Sequence, residues 1–445
     1  MVAGGKGRSF VIVGNGIAGV TAAETLRAED GAASITIIAA NTVPVYYRPA
    51  LKDFLGGRVP AEKLWARPPS FYQDIRIQYI ADQVVAIDGR QHLLLLASGR
   101  QVGYDCLLLA NGASASTLTC PGMQLAGVTT LRSVADYQAV LAYLGNVRRV
   151  VVVGSGTLAL ETVEMLRYRG LQVSHLLRHQ ILWSEVLDAT ASDLVLQQEE
   201  HDGVDVRLEQ EVAEIVGKDG CVSGVVTRQG QHIPCELVLI AIGIQPNIDF
   251  IRRGGIACGC GVQVDASMRT SMPDIYAAGD VVEAYNPLTA RARPLGQWYP
   301  AIQQGRAAAY SMLDLLDTGS TAGANINYLN ATFLYGLDFA SVGLTSVSGY
   351  PYHPLVAPPQ PRRYQKVLLH NGIPVGWLSL GDRAPALAFK RAIDHHVNLL
   401  PVASVLCEQH FDLDSWLDAQ GVPPPILGVS KVGEDHLASQ MARIR

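Results

Sequence analysis

One local pattern occurs twice in this chain. Phe10-Val11-Ile12-Val13 runs into Gly14-Asn15-Gly16-Ile17-Ala18-Gly19, and Val150-Val151-Val152-Val153 runs into Gly154-Ser155-Gly156-Thr157-Leu158-Ala159. Each glycine loop follows a β-branched run, which favours a strand. Each precedes a helix-like stretch, Val20 to Arg27 and Leu160 to Arg169. Strand, glycine turn and helix in that order form the context of a dinucleotide-binding loop. The glycines permit the tight turn and let backbone N–H groups approach a pyrophosphate, which rests on the positive end of the helix. Two such loops in one chain predict two bound dinucleotides. The reason to hold two is to pass electrons between them.

Composition narrows the class. The 445 residues predict two to three domains, and 49% apolar with 17% charged residues is the balance of a packed globular chain. The net charge of −5 provides no basic field for nucleic acid or an anionic membrane. No apolar run approaches the roughly 20 residues a membrane span needs. The basic residues at the amino end lead directly into the first strand and its loop, so that stretch is read as structure and not as a signal peptide. Seven unpatterned cysteines suit a reducing compartment, and the expected location is the cytoplasm.

A third segment, Thr270-Ser271-Met272-Pro273-Asp274-Ile275-Tyr276-Ala277-Ala278-Gly279-Asp280, reads as a short buried strand ending in a carboxylate. It resembles the second FAD fingerprint of the two-dinucleotide-binding-domain flavoproteins, a resemblance that places Asp280 on the flavin's ribityl chain and Gly279 among the cofactor-binding residues. Cys106-Leu107-Leu108-Leu109-Ala110-Asn111-Gly112-Ala113 and Leu237-Val238-Leu239-Ile240-Ala241-Ile242-Gly243 resemble the two strands that return the chain between domains in that family. The five motifs stand in the family's order from residue 9 to residue 280. The implied fold is α/β, with two Rossmann-like domains, the FAD domain interrupted by the NAD(P) domain, and a C-terminal α+β interface domain. The expected divisions are 1–120 and 244–322 for the FAD domain, 121–243 for the NAD(P) domain, 323–420 for the interface domain, and 421–445 as a tail without assigned fold. Within them, the pattern predicts a helix from Trp298 to Leu316 and a small polar linker over Gly319-Ser320-Thr321-Ala322-Gly323-Ala324. Beyond it come short strands over Thr332 to Val347, Tyr364 to His370 and Pro374 to Leu380, with an Asn371-Gly372 hairpin turn and a helix over Ala384 to Val397.

The resemblance assigns the first loop (Gly14, Gly16, Ile17, Ala18, Gly19) with Ala110, Asn111 and Gly112 to FAD. It assigns the second loop (Gly154, Gly156, Thr157, Leu158) with Gly243 to the nicotinamide dinucleotide. The strand after the second loop ends His175-Leu176-Leu177-Arg178-His179, with Leu177 where an NAD site usually places a carboxylate for the ribose. A carboxylate would repel a 2′-phosphate, whereas the planar fork of Arg178 matches one. Ala159 and the Arg178-His179 pair resemble the NADPH site of glutathione reductase, although Ser184 stands where that family has a second arginine. NADPH is therefore the expected donor, with NADH possible. On the flavin side Asn41 stands where the family usually has an acidic residue, which predicts weaker anchoring of the FAD ribose. Tyr47-Arg48-Pro49-Ala50-Leu51-Lys52 resembles the segment that wraps the flavin in rubredoxin reductases and in ferredoxin reductases of oxygenase systems. That likeness puts Arg48 on FAD and Lys52 beside the isoalloxazine. Arg132 resembles another FAD-contacting arginine of those reductases, Glu161 the carboxylate that pairs with the lysine, and Trp298 a tryptophan set against the flavin.

Residues 41–60 contain no cysteine, so a thiol relay from the flavin to a disulfide or a peroxide is not expected. Cys258 and Cys260 read as a chance loop pair, and the adjacent His395 and His396 cannot share a metal from one helix. The resemblance thus implies an NAD(P)H oxidoreductase in which hydride passes to FAD and electrons leave directly for an external acceptor. That acceptor is a rubredoxin- or ferredoxin-like carrier or a small molecule. The rubredoxin and ferredoxin reductases and the flavin part of NAD(P)H nitrite reductases are the branch it resembles. The rival reading is a slow-turnover binding flavoprotein similar to apoptosis-inducing factor. Arg362, Arg363 and Lys366 form the only clustered cations available for docking an acidic carrier. The expected assembly is a monomer or a homodimer.

Overall fold

Parallel strands covered on both faces read as unbroken apolar runs, and the two runs before the glycine loops occupy the centres of two such sheets. The computed structural model describes residues 8–286, 291–315, 327, 329–346, 352–357, 360–408 and 410–426. The expected linker at 319–324 and the end of the tail lie outside them. The first sheet orders its strands Ile275–Ala277, Cys106–Leu109, Ser9–Val13, Ser34–Ala39, Gln78–Ala81, all parallel. The second repeats the plan as Asp205–Arg207, Gln172–Leu176, Arg149–Val153, Leu237–Ile240, Val128–Thr130. In both, the chain leaves the central strand for a neighbour on one side and returns on the other. That arrangement opens a crevice at the carboxyl ends of the strands, where ligands of such sheets bind. The fold is α/β with two dinucleotide-type sheets, as the sequence predicts.

The described residues fall into two compact units. The first comprises those up to residue 324 together with Leu334–Gly336, and the second those of Asn325–Phe333 and from Leu337 onward. Inside the first unit the helix after the first loop, Ile17–Glu29, packs on the helix Trp298–Met312. The approach is close because residue 305 lacks a side chain: a Cβ there would stand 2.2 Å from the carbonyl oxygen of Ala18. Phe10, Ile12, Val20, Leu26, Ile35, Ile37 and Leu108 fill the core between these helices and the first sheet.

Both loop helices begin three residues before the expected Val20 and Leu160, at Ile17 and Thr157. Gly16 and Gly156 are the extended residues that precede them, so the helix starts inside the loop itself. The predicted Trp298–Leu316 helix ends at Met312. In the second unit five strands order as Leu329–Leu334, Leu337–Gly343, Ile373–Leu380, Tyr364–His370, His353–Val356. The hairpin turn is Asn371-Gly372, both residues at positive φ (51° and 84°), the geometry an Asn-Gly pair favours. The helix Ala386–Asp394 covers this sheet and stacks Phe389 on Trp377 with centroids 5.0 Å apart. It is shorter than the expected Ala384–Val397, because Pro385 is its N-cap and His395 its C-cap.

Candidate functional site

The two glycine loops are geometric copies. Gly14 has φ +111°, and a Cβ there would lie 2.2 Å from the carbonyl oxygen of Ala110, the residue after the adjacent strand. Gly154 has φ +143°, and its Cβ would lie 2.2 Å from the carbonyl oxygen of Ala241, which follows the corresponding strand. Neither clash can be relieved by turning a side chain, because the obstructing atom is backbone. Above Gly16 and Gly156, by contrast, an added Cβ meets nothing within 4 Å. The first turns of Ile17-Ala18-Gly19 and Thr157-Leu158-Ala159 therefore present backbone N–H groups to open space, and such helix ends attract phosphate.

Residues not singled out in the sequence brace the first loop. Asn15 donates from Nδ2 to the Val43 carbonyl at 2.9 Å and accepts from the Tyr72 hydroxyl at 2.7 Å. Asn111 donates to the Asn247 carbonyl at 2.8 Å, while its own Oδ1 is buried with no partner, an orphan acceptor beside the crevice. Gly112 and Gly243 lie on the paired crossings of the chain, next to the strands Ala113–Ala115 and Ile244–Pro246, each with open space where a side chain would be. Gly279 donates its N–H to Gln304 at 2.8 Å, which fixes the entry of Asp280. The open helix ends, the glycine cradle and the orphaned Asn111 oxygen fit a bound dinucleotide.

Between the loops, distant residues converge. Lys52, on the short helix Leu51–Gly56, donates to Glu161 on the helix Thr157–Tyr168 at 2.7 Å, and both side chains are largely buried. Arg132 holds Asp280 in an ion pair and donates to the Ala113 carbonyl at 3.1 Å. Arg48 donates to the Arg132 carbonyl at 3.0 Å, and burial together with the Arg132 charge lowers its proton affinity. Trp298 sits edge-on to Tyr47, centroids 5.1 Å apart, and burial pushes the Tyr47 phenol well above its usual range. The Lys52, Arg48, Arg132 and Trp298 positions thus gather within one region of the first unit.

The residues expected to set the donor preference take no part in those contacts. Leu177 is fully buried, and Arg178 and His179 emerge exposed at the carboxyl end of the strand beside the second loop. Arg178 donates from Nε to His179 Nε2 at 3.2 Å. Among the described residues no carboxylate pairs with either one. Asn41 is exposed too, and it is its backbone carbonyl, not its side chain, that takes the Tyr79 hydroxyl.

The expected cation cluster does not form an open patch. Lys366 is only 5% exposed, and Arg363 pairs with Asp382 at 2.8 Å. Lys366 lies on the strand Tyr364–His370, whose residues are buried on both faces from Tyr364 to Leu369, a setting that linear proximity does not reveal. Burial raises the thiols of Cys106 to about 11 and Cys235 to about 12, and also raises those of Cys120, Cys258 and Cys407. Cys260 hydrogen-bonds Glu283 at 3.2 Å and is raised as well. His395 caps its helix and donates to the Pro424 carbonyl at 2.8 Å. Among the described residues no group of His, Cys, Asp and Glu could hold a metal, and no helix is long and apolar enough to cross a membrane.

Residues 8–305 match the pyridine nucleotide-disulphide oxidoreductase family. The chain is 35% identical over 287 residues to a ferredoxin–NAD(P)(+) reductase of Sphingomonas sp, covering 64% of this chain and 69% of that protein. It is 32% identical over 306 residues to a rubredoxin–NAD(+) reductase of Pseudomonas putida, covering 68% and 80%. The crystal structure of the ferredoxin reductase for the CYP199A2 system from Rhodopseudomonas palustris aligns with a TM-score of 0.83 at 25% identity, over 92% of this chain and 99% of that one. This chain therefore belongs to the pyridine nucleotide-disulphide oxidoreductase family and is an FAD-dependent NAD(P)H oxidoreductase.

Proposed function

We propose that the protein takes electrons from NADPH and passes them through FAD directly to a small electron-carrier protein, without a thiol relay. FAD held there would supply the redox chemistry between the nicotinamide and the acceptor. The observation that carries the reading is the Lys52–Glu161 pair at 2.7 Å, which ties the flavin-side segment to the helix of the second loop. Partial burial makes this pair stiffer than a surface ion pair, so it orients the ammonium where the two cofactors would meet. Gly14, Gly16 and the helix start at Ile17 would hold the FAD pyrophosphate. Arg48, Arg132, Asp280 and Asn111 would hold the rest of the flavin nucleotide, with Trp298 and Tyr47 excluding water beside it. Gly154, Gly156 and the helix start at Thr157 would receive the nicotinamide dinucleotide.

NADPH is favoured over NADH because the site offers the exposed Arg178 fork, which no described carboxylate holds, and no acid at the ribose position. A carrier protein as acceptor is supported by the names of the relatives, and a direct exit by thiols held protonated through burial. The test is anaerobic titration of the flavoprotein with NADPH and with NADH. Removing a charged hydrogen-bond partner costs about 1.5–3 kcal/mol, so Arg178→Ala should weaken NADPH use roughly tenfold or more and leave NADH use nearly unchanged. Equal use of both donors by the wild type, or equal loss of both in the variant, overturns the preference. A variant lacking all seven cysteines should still reduce ferredoxin-linked cytochrome c. Disulfide reduction that a single cysteine substitution abolishes would refute the direct exit.

A further inference from the structure

The two loops differ at one buried contact. In the first, the residue at the third loop position is Gly19, and a Cβ there would stand 2.4 Å from the Gly14 carbonyl oxygen. The first carbonyl of that loop therefore occupies space that only glycine leaves vacant. In the second loop the same position is Ala159, fully buried, whose methyl fills that space. The Gly154 carbonyl accordingly turns elsewhere and accepts a hydrogen bond from His175 Nε2 at 2.7 Å. A carbonyl cannot donate, so Nε2 carries a proton, and the contact of the other ring nitrogen with a carboxylate oxygen needs a second one between them. The other ring nitrogen, Nδ1, lies 2.9 Å from Glu199 Oε2, with both side chains at 0% exposure. Tyr335 donates to the second oxygen, Glu199 Oε1, at 3.0 Å.

The register shows that this is a substitution within a shared plan. His175 pairs with Val152 in the second sheet as Ile37 pairs with Ile12 in the first. Where the first loop combines glycine with a buried isoleucine, the second combines alanine with a buried histidine. We propose that His175, held by Glu199, is a positioning residue for the second loop. It takes up the Gly154 carbonyl that Ala159 displaces and so fixes the loop in the form that receives the nicotinamide dinucleotide. The inference rests on the reading that this loop binds that nucleotide. It adds a residue that acts on nucleotide affinity through the loop backbone and leaves electron transfer untouched.

Two amide variants separate the halves of the imidazole. The amide nitrogen of His175→Gln stands in for Nε2 and can still donate to Gly154, whereas that of His175→Asn stands in for Nδ1 and reaches only Glu199. Glu199 keeps a partner in Tyr335 in both, so both should fold. Binding of NADP+ and of NAD+ to the FAD-loaded protein is measured by titration calorimetry, with KM and kcat alongside. His175→Asn should raise Kd and KM about tenfold at unchanged kcat and FAD content, while His175→Gln stays within about threefold of the wild type. Adding Ala159→Gly to His175→Asn returns to the carbonyl the space it has in the first loop, and should recover most of the affinity. Wild-type affinity in His175→Asn, or no recovery with Ala159→Gly, overturns the proposal while leaving the site assignment intact. A wild-type protein that binds neither nucleotide overturns the assignment itself and this inference with it.

Discussion

Alanine at Gly14 and at Gly16 should fail in opposite ways, although the two positions are separated by one residue. At Gly14 the backbone has φ +111°, and the added methyl would lie 2.2 Å from the Ala110 carbonyl oxygen. The dihedral costs about 1–3 kcal/mol for a residue with a side chain. Forcing a methyl against fixed backbone adds about 1–3 kcal/mol more. The sum, about 2–6 kcal/mol, is a large share of an ordinary domain's stability. At Gly16 the backbone is extended, with φ −80° and ψ 176°, and the methyl meets nothing within 4 Å. Gly16→Ala should therefore fold as well as the wild type, or slightly better by about 0.4–1 kcal/mol through the unfolded chain. Its methyl, however, stands where the pyrophosphate must approach, and losing one charge-assisted N–H bond of about 1.5–3 kcal/mol weakens FAD roughly tenfold or more. The assay is thermal unfolding of flavin-stripped protein together with FAD titration of the same samples. Gly14→Ala should unfold several degrees lower before any FAD is added, whereas Gly16→Ala should unfold normally and bind FAD poorly. A Gly14→Ala protein of normal apo stability, or a Gly16→Ala protein that binds FAD as tightly as the wild type, refutes the reasoning.

Two further outcomes follow from contacts outside the loops. Gly305→Ala improves local helix propensity, yet its methyl would stand 2.2 Å from the Ala18 carbonyl, so thermal unfolding should shift downward by the equivalent of about 1–3 kcal/mol. A rise in midpoint would show that the two helices move apart freely. Burial raises the folded-state pKa of Glu164 above its unfolded value, so the folded protein binds the extra proton and loses stability as pH rises through that interval. Glu164→Gln should therefore stabilise the protein at pH 8 more than at pH 4, read from unfolding midpoints at both; an equal effect at the two pH values refutes the assignment.

The strands, both loops, the Asn371-Gly372 hairpin and the family's motif order were legible in the sequence because each depends on neighbours in the chain. A β-branched run, a glycine that alone tolerates its dihedral and an Asn-Gly turn carry their reasons locally. The helix starts were displaced by three residues because glycine, a weak helix former, here serves as the cap and not the interior. Side chains that meet across long separations escaped local reading: likeness alone paired Lys52 with Glu161 across 109 residues, and it set Arg132 and Asp280, 148 residues apart, each on the flavin without pairing them. Where no likeness guided the reading, spacing misled. Arg362, Arg363 and Lys366 are near in sequence, but Lys366 falls on a strand buried on both faces and an acidic neighbour holds Arg363.

The sequence by itself determined that two dinucleotide loops exist, where they lie, and which strand end carries Arg178 without an acid. The tertiary structure decided which groups face one another: Lys52 with Glu161, Arg132 with Asp280, and His175 with Gly154 and Glu199. The physical reason is range. Dihedral demands and periodicity act over a few residues, whereas a buried charge or carbonyl must find its partner wherever packing brings one, at any distance along the chain.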